Sequence, residues 1–557
     1  MMAESAETGL LHQADTYEEV YGSLEWQVPE RYNMGVDVCD KHAAATPDKK
    51  ALIVAELDGD AIEYSFAALR GLSNQLANLF IAKGLQRNDR IGILLSQSVE
   101  AAISHIAAWK MAAISIPLFT LFGEEALEFR LRDSGAKMLV TDVDHLHKIE
   151  SIRERLPDLE TVLVVDAGRD GTGMVNFWSA MEKASADFEP IGTLSDDPAF
   201  ICYTSGTTGN PKGALHAHRT MFGHLPGIEF FHDFLPQPGD LMWTPADWAW
   251  IAGLMNTLMG SWHHGITNLA YRARKYDPEE ALRLMAKYGV RNTFMPPTAL
   301  KMMRTVPGIG DFGTNLRTIT CAGEPMGAEL LEWGRESFGL TFNEYYGQTE
   351  CNLVVANCQA IMEVKPGSMG LPVPGHRVEV IDGDGNPQPA GEVGEIAVRR
   401  PDPVMLLEYW NNPEASRDKY RGDWLLMGDQ ATKDEDGYLW FVGRADDVIT
   451  SAGYRIGPGE IEDCLTKHPA VSLAAAIGVP DPIRTEQVKA FIVLRPGFDG
   501  GKELDGEIRE FVATRLSPHE SPRQIEFVDS LPLTATGKIK RKDLRDAEIA
   551  KLQTAGE

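Results

Sequence analysis

The residues from Tyr203 to Gly213 are suited to holding an anion. They read Tyr203-Thr204-Ser205-Gly206-Thr207-Thr208-Gly209-Asn210-Pro211-Lys212-Gly213 and follow the apolar run Ala199-Phe200-Ile201-Cys202. Glycines let a backbone turn tightly and bring its N–H groups close to a ligand. Successive N–H groups in such a turn form a concavity suited to phosphate oxygens. The hydroxyls of Thr204, Ser205, Thr207 and Thr208 add donors, and Lys212 adds a mobile positive charge. A generic loop of this composition is a solvated turn, so the order of the residues carries the argument. That order is not a Walker A sequence, which needs Gly-Lys followed by Ser or Thr; here Lys212 lies between Pro211 and Gly213.

Further segments follow. They are Asp247-Trp248-Ala249-Trp250-Ile251-Ala252-Gly253, Phe294-Met295-Pro296-Pro297-Thr298, Cys321-Ala322-Gly323-Glu324-Pro325 and Glu344-Tyr345-Tyr346-Gly347-Gln348-Thr349-Glu350. Then come Gly428-Asp429, Gly443-Arg444-Ala445-Asp446-Asp447, Ser451-Ala452-Gly453-Tyr454-Arg455-Ile456-Gly457 and Gly537-Lys538. Each alone reads as a core strand, a turn or a solvated face. Together, in this order over residues 199–541, they resemble the motif series of the adenylate-forming (ANL) superfamily. Within it the chain looks most like the AMP-forming acyl-CoA synthetases of the medium-chain branch.

That resemblance implies a two-step reaction. A carboxylate and ATP give an acyl adenylate and pyrophosphate, and CoA then takes the acyl group and releases AMP. The first step joins an anion to a polyanion, so charge must be neutralised as it develops. By resemblance, Thr204, Ser205, Gly206, Thr207, Thr208, Gly209 and Lys212 hold the β and γ phosphates of ATP. Glu350 and Thr204 coordinate Mg²⁺, for which hard oxygens are apt. Thr349 touches the α-phosphate. Gly323, Glu324, Pro325 and Tyr345 pack around the adenine, Glu344 and Gln348 belong to the nucleotide site, Asp429 takes the ribose hydroxyls, and Arg444 and Arg455 serve the nucleotide. Lys538, on composition alone a surface lysine in a basic tail with Lys540, Arg541 and Lys542, becomes the catalytic cation between carboxylate and α-phosphate. Asp446 matches the hinge about which the C-terminal part turns for the CoA step, and Gly453 lines the CoA tunnel.

The acid is given only a direction. Acetate-specific relatives place a Trp directly before the Gln of the nucleotide segment, where this chain has Gly347. Ala252 and Ala322 are also small, Ile251 directly precedes Ala252 in the same pocket series, and Trp250 is expected as a wall. A short-to-medium-chain, branched, thioether or aromatic acid is expected, not acetate. Discrimination of only ~1–3 kcal/mol per methylene makes broad specificity the expectation.

These residues need elements to place them. Strand-like runs at 90–95, 137–141 and 161–165 alternate with helical spacing at 66–83 and 98–113, and the pattern recurs at 278–288 and 292–295. That alternation predicts parallel sheets covered by helices. A hairpin signal lies over 378–398 around Asp382-Gly383-Asp384-Gly385-Asn386-Pro387. The expected fold is α/β. A large N-terminal domain of parallel α/β sheets plus a small β unit spans 1–443, a hinge spans 444–447, and a small mobile α+β C-terminal domain spans 448–557. Residues 1–30 read as a polar lead-in. Gly308-Ile309-Gly310-Asp311-Phe312-Gly313 matches GxGxxG but follows no strand and opens no helix, which excludes a dinucleotide site.

At 557 residues the chain exceeds a single core. Its net charge of −28 argues against nucleic acid and anionic membranes as partners. No stretch reaches the ~18 apolar residues of a membrane span, and the N-terminus has no leader-like region. Six scattered cysteines without a CxxC pair are expected as reduced thiols in the cytoplasm. Small molecules are the expected partners, with a homodimer as the assembly. Two rival readings are an adenylating enzyme with a non-CoA acceptor and a nucleotide sensor without turnover. No carrier segment follows Lys538, and Lys538, Glu350 and Lys212 are all retained, so both rank lower.

Overall fold

Helix caps and apolar stripes set the first elements. In the computed structural model, Ser65 accepts from Ala68 N–H at 3.2 Å and starts a helix over Phe66–Ala82; Ser98 does the same for Val99–Lys110. Asp277 caps Pro278–Tyr288, and Gly289 ends it in the left-handed conformation. The structure describes all residues except 1–8, 168–172, 205–210, 274, 325, 445–446, 452–453, 482–484, 516–519, 535–536 and 556–557. Side chains at 450, 454, 455, 460, 485 and 552–555 are likewise outside the described set.

The chain forms two compact units. The first holds residues 1–205, 211–377 and 400–419. It contains two sheets. One has eight strands, with Arg90–Leu94, Ile114–Pro117, Met138–Asp142, Thr161–Val165 and Pro198–Thr204 running parallel. Lys212–Ala217 and Glu408–Tyr409 add antiparallel strands at one edge. The other has nine strands, parallel from Asn343–Gln348 through Thr318–Cys321, Asn292–Phe294, Leu241–Trp243 and Thr267–Ala270 to Lys50–Val54. Trp109, Phe80, Phe230 and Trp262 come from helices between the sheets and share one core with Phe200 and Tyr345 from the strands. Outer helices cover the far faces, with Leu282 and Leu330 on one sheet and Leu127 and Ile149 on the other. The parallel, doubly covered architecture expected from the alternation is present.

The second unit holds residues 206–210, 378–399 and 420–557. The hairpin signal is realised as Val378–Ile381 antiparallel to Gly394–Arg399, continued by Trp424–Lys433 and Leu439–Arg444. A second mixed sheet combines Val471–Asp481 and Thr485–Leu494 with Gln524–Phe527 in parallel, and packs helices Pro458–Thr466 and Lys502–Arg515 around Ile461, Ile492 and Ile508, while Ile477 belongs to a separate cluster with Phe491 and Leu531.

The described part of the polar lead-in is docked on the first unit. Leu10 and Leu11 N–H donate to the buried Glu229 carboxylate at 2.9 and 2.7 Å, Tyr17 OH donates to Pro372 O, and Trp26 Nε1 donates to Gly375 O. With Tyr21 OH donating to His376 O, three aromatic residues in a polar context find backbone acceptors, which composition could not show. The GxGxxG segment is a short 3₁₀ turn over Ile309–Phe312, with no dinucleotide geometry. Among the described residues no helix is long and apolar enough to cross a membrane.

Candidate active site

Strand Pro198–Thr204 does not lead into a helix, as a Walker loop would. It turns back as an antiparallel strand, with Thr204 opposite Lys212 and Tyr203 opposite Gly213. The phosphate loop is therefore the tip of a hairpin, and the ladder fixes where it begins and ends. Thr204 Oγ1 donates to Lys212 O at 3.4 Å. Ser205, Gly206, Thr207, Thr208 and Gly209 lie outside the described residues.

The nucleotide segment is a second hairpin, Asn343–Gln348 against Cys351–Ala356, with Thr349 and Glu350 at its turn. Side chains alternate along the strand. Tyr345 is 3% exposed; its ring stacks on Phe231 at 4.5 Å and its OH accepts from Asn256 Nδ2 at 3.2 Å. That corrects the reading of Tyr345 as an adenine contact, because its ring faces the core. Tyr346 occupies the opposite face and is half-buried. Below the hairpin, Asn352 Nδ2 donates to Asn256 Oδ1 at 2.7 Å and to His224 Nε2 at 2.9 Å, while His224 Nδ1 donates to Thr220 O. Burial holds the His224 imidazole down at about 4, so it stays neutral and accepts.

Gly347 has a reason of its own. A Cβ there would meet Leu353 N at 2.2 Å and Asn352 C at 2.9 Å, both backbone. Leu353 is buried at φ 70°, a bulge that throws its chain against the first strand. The hairpin's close approach to itself is by itself a sufficient reason for a glycine here.

The segment Asp402–Tyr409 was not recognised from sequence, yet it joins the two hairpins. Leu406 N–H donates to Glu350 O at 2.9 Å and Cys351 bridges Met405, while Leu407 and Trp410 N–H donate to Leu215 and Gly213 O. Tyr409 OH donates to Glu350 Oε1 at 2.5 Å, and Lys212 Nζ lies 5.2 Å from the centre of the Tyr409 ring. The only cue was an aromatic pair, Tyr409-Trp410, before the Asn412 cap of a short helix.

In the acyl series, Trp250 packs against Phe119 at 5.3 Å and Phe122 at 6.1 Å between ring centres. Ile251 is buried, and its N–H points at the Cys202 thiol, whose pKa burial pushes up to about 12. Ala252 opens a π-helical stretch through Met259, a rare form frequent at functional sites. Ala252 and Ala322 both lie half-buried against the main core. Asp247 Oδ1 accepts from Ala249 N–H at 2.7 Å, and burial raises its carboxyl to about 6. Gly323 takes φ 90°, Glu324 accepts from Thr298 Oγ1 at 2.9 Å, and Pro325 lies outside the described residues. Glu344 is buried, and Gln348 Oε1 accepts from Lys419 Nζ at 3.4 Å.

The second unit brings its own predicted residues together in two places. Asp429 and Arg444 are register partners across one ladder, following Gly428 at φ 71°. Lys538 closes a tight turn, with Thr534 N–H donating to Lys538 O at 2.7 Å and Lys538 N–H to Thr534 Oγ1 at 3.0 Å, made possible by Gly537 at φ 85°. Asp446, Gly453 and the Arg455 side chain lie outside the described residues; the Arg455 backbone pairs with Thr450.

The donor set around the phosphate hairpin fits Mg²⁺ of the kind carried by a nucleotide. Among the described residues no group of three His, Cys, Asp or Glu could cage a metal. Glu350, 8% exposed with one oxygen engaged by Tyr409, has a second carboxylate oxygen to offer. One or two protein oxygens with substrate phosphates are the usual setting for Mg²⁺.

Comparison with known proteins agrees with this geometry. The AMP-binding enzyme family matches residues 39–410, and the AMP-binding enzyme C-terminal domain matches residues 460–538. The chain is 35% identical to the acetyl-coenzyme A synthetase of Bacillus subtilis, over 97% of this chain and 96% of that one. It is also 35% identical to the mitochondrial acyl-coenzyme A synthetase ACSM4 of Rattus norvegicus, over 95% and 93%. A solved structure of the anthranilate CoA ligase AuaEII with anthranoyl-AMP is 30% identical, with a TM-score of 0.84 over 95% of this chain and 99% of that one. The chain belongs to the AMP-binding enzyme family and is an AMP-forming acyl-CoA synthetase, an ATP-dependent acid–CoA ligase that uses ATP, Mg²⁺ and CoA.

Proposed function

We propose that this ligase activates a short-to-medium-chain, branched, thioether or aromatic acid in preference to acetate. The observation that carries the proposal is the Trp250–Phe119–Phe122 aromatic set in a segment where Ala252 and Ala322 contribute only methyl groups. A wall of rings with small residues around it suits an apolar acyl chain longer than two carbons. The relatives named for anthranilate and for acyl groups support that direction; the one named for acetyl opposes it. A panel of acids from acetate to decanoate, with benzoate, scored for CoA-dependent AMP formation, tests the proposal. Highest kcat/KM on acetate would contradict it.

In the chemistry we propose, Lys212 and the loop hydroxyls bind the β and γ phosphates and Thr349 orients the α-phosphate. Mg²⁺, held by Glu350 and Thr204, would neutralise phosphate charge. Asp429 accepts from the ribose hydroxyls, with Arg444 at its side. Lys538 bridges the substrate carboxylate and the α-phosphate as the carboxylate oxygen attacks phosphorus and pyrophosphate leaves. The CoA thiol then attacks the acyl carbon, losing its proton, and AMP departs. We place the domain boundary at a hinge over 444–447, with Asp446 absorbing the backbone rotation. Gly453 then comes to the CoA tunnel and Arg455 serves the nucleotide. The proposed setting is the cytoplasm, which the six free buried cysteines support. The proposed assembly is a homodimer, to be checked by sedimentation.

A further inference from the structure

Tyr409 stands between the two charges that this site must keep apart. Its hydroxyl donates to Glu350 Oε1 at 2.5 Å, and its ring centre lies 5.2 Å from Lys212 Nζ. The side chain is 5% exposed and held on several sides. Its backbone pairs with Ala214, its N–H donates to Ser416 Oγ at 2.9 Å, and the neighbouring Trp410 Nε1 donates to Asp133 O at 3.1 Å. Among the described residues no ion pair joins Lys212 to Glu350.

Lys212 and Glu350, both in contact with Tyr409, are opposite charges that could pair with one another in its absence. Each would then be spent on the other instead of on phosphate and cation. A phenol prevents this in two ways. Its O–H donates to one carboxylate oxygen, fixes the carboxylate plane and leaves Oε2 for a cation. Its ring face attracts the ammonium through the π quadrupole, offering Lys212 a resting place that is not an anion. We propose that Tyr409 is a positioning residue that orients Glu350 for Mg²⁺ and insulates it from Lys212. The inference rests on the reading of Glu350 as the metal carboxylate.

The test is Mn²⁺ binding, followed by electron paramagnetic resonance, to the full chain with α,β-methylene-ATP, beside ATP-analogue affinity without metal. Tyr409→Phe keeps the ring and removes the donor. It should weaken Mn²⁺ about 10-fold, as for a hydrogen bond to a charged group, and leave metal-free nucleotide affinity within about 2-fold. Tyr409→Leu also removes the ring, lets Lys212 close on Glu350, and should weaken metal-free nucleotide binding about 5-fold. Glu350→Gln separates the two ideas. If it leaves Mn²⁺ binding unchanged, the metal reading of Glu350 fails and the role of Tyr409 with it. If it weakens Mn²⁺ while Tyr409→Phe does not, the role of Tyr409 alone is overturned. In the Glu350→Gln background, Tyr409→Phe should add nothing. Should the phenylalanine variant not fold, Tyr409→His, which keeps a ring and an N–H donor, gives the same comparison. Mn²⁺ affinity near wild type is expected, and a loss as large as that of Glu350→Gln would contradict the proposal.

Discussion

Asp429 and Arg444 face one another across an antiparallel ladder, with Arg444 Nη1 3.5 Å from Asp429 Oδ1. Asp429 is 4% exposed and Arg444 is only half-buried. The arginine is an ion-pair partner of a buried carboxylate and keeps part of its own side chain exposed. Asp429→Ala should raise the KM for ATP about 10–100-fold, the range for hydrogen bonds to a charged group, with kcat changed much less. The same variant should no longer distinguish ATP from 2′,3′-dideoxy-ATP. Undiminished discrimination by the variant would remove Asp429 from the ribose.

Gly347 predicts a loss that is blind to the acid. Gly347→Ala puts a methyl group 2.2 Å from Leu353 N, and backbone cannot rotate away as a side chain can. The turn carrying Thr349 and Glu350 must shift. Activity on every acid in the panel should fall together, with a lower Tm, since overpacking costs ~1–3 kcal/mol. Selective loss of the longer acids would place the acyl chain at Gly347 after all.

Chain length is tested instead at Ala252 and Ala322. Ala252→Phe and Ala322→Leu should each reduce kcat/KM for octanoate about 10–100-fold relative to that for acetate. Adenylation of the smallest acid serves as the internal control for the nucleotide site. Equal losses for both acids would separate these positions from the acyl pocket.

Much of this site was legible because its residues are local in sequence. The phosphate loop, the Glu344–Glu350 turn, Gly428-Asp429 and Gly537-Lys538 are short runs whose backbone demands show in their glycines. Helical spacing and a β-rich run likewise marked the elements found at Phe66–Ala82, Pro278–Tyr288 and Thr161–Val165. What was hidden depends on pairing between distant segments. Tyr409 reaches Glu350 and Lys212 only because strand 408–409 pairs with 212–217. Which of Tyr345 and Tyr346 faces the core follows from strand phase, which adjacent tyrosines cannot reveal. The small side of Gly347 was read as room for substrate, but it serves the bulge at Leu353 in its own hairpin.

Buried histidines predict an acid limit. Unfolded, each takes up a proton near pH 6.5. Folded, burial lowers His216 and His218 to about 3 and His224 to about 4. Between these values the unfolded chain binds more protons, so this stability is whole above about pH 6.5 and is lost as pH falls toward 4. At pH 5 each group accounts for about 2 kcal/mol of the loss. His224→Gln should therefore reduce the fall in unfolding free energy between pH 7 and pH 5 by about that amount. An unchanged pH slope would mean that His224 is not held neutral.

The hinge predicts a split between half-reactions. Asp447, beside the proposed pivot Asp446, is held by Arg541 Nη1 at 3.3 Å and Arg545 Nη2 at 3.2 Å, and Arg541 also grips Glu462. Arg541 lies three residues after Lys538, so these pairs tie the lysine turn to the pivot. Asp446→Pro fixes φ and should trap one orientation, keeping adenylation while thioester formation drops at least ~10-fold. Equal retention of both steps would show that rotation does not occur at this residue.

We propose that Lys538 serves adenylation and not acyl transfer to CoA. It is tested most directly by assaying Lys538→Ala in each half-reaction alone. ATP–pyrophosphate exchange with the preferred acid reads the first, and CoA consumption with a supplied acyl adenylate reads the second. Exchange should fall at least ~10²–10³-fold, the loss expected for removing a preorganised charge from a developing anion, while the CoA reaction stays within about 5-fold of wild type. Equal losses in both half-reactions would contradict the account.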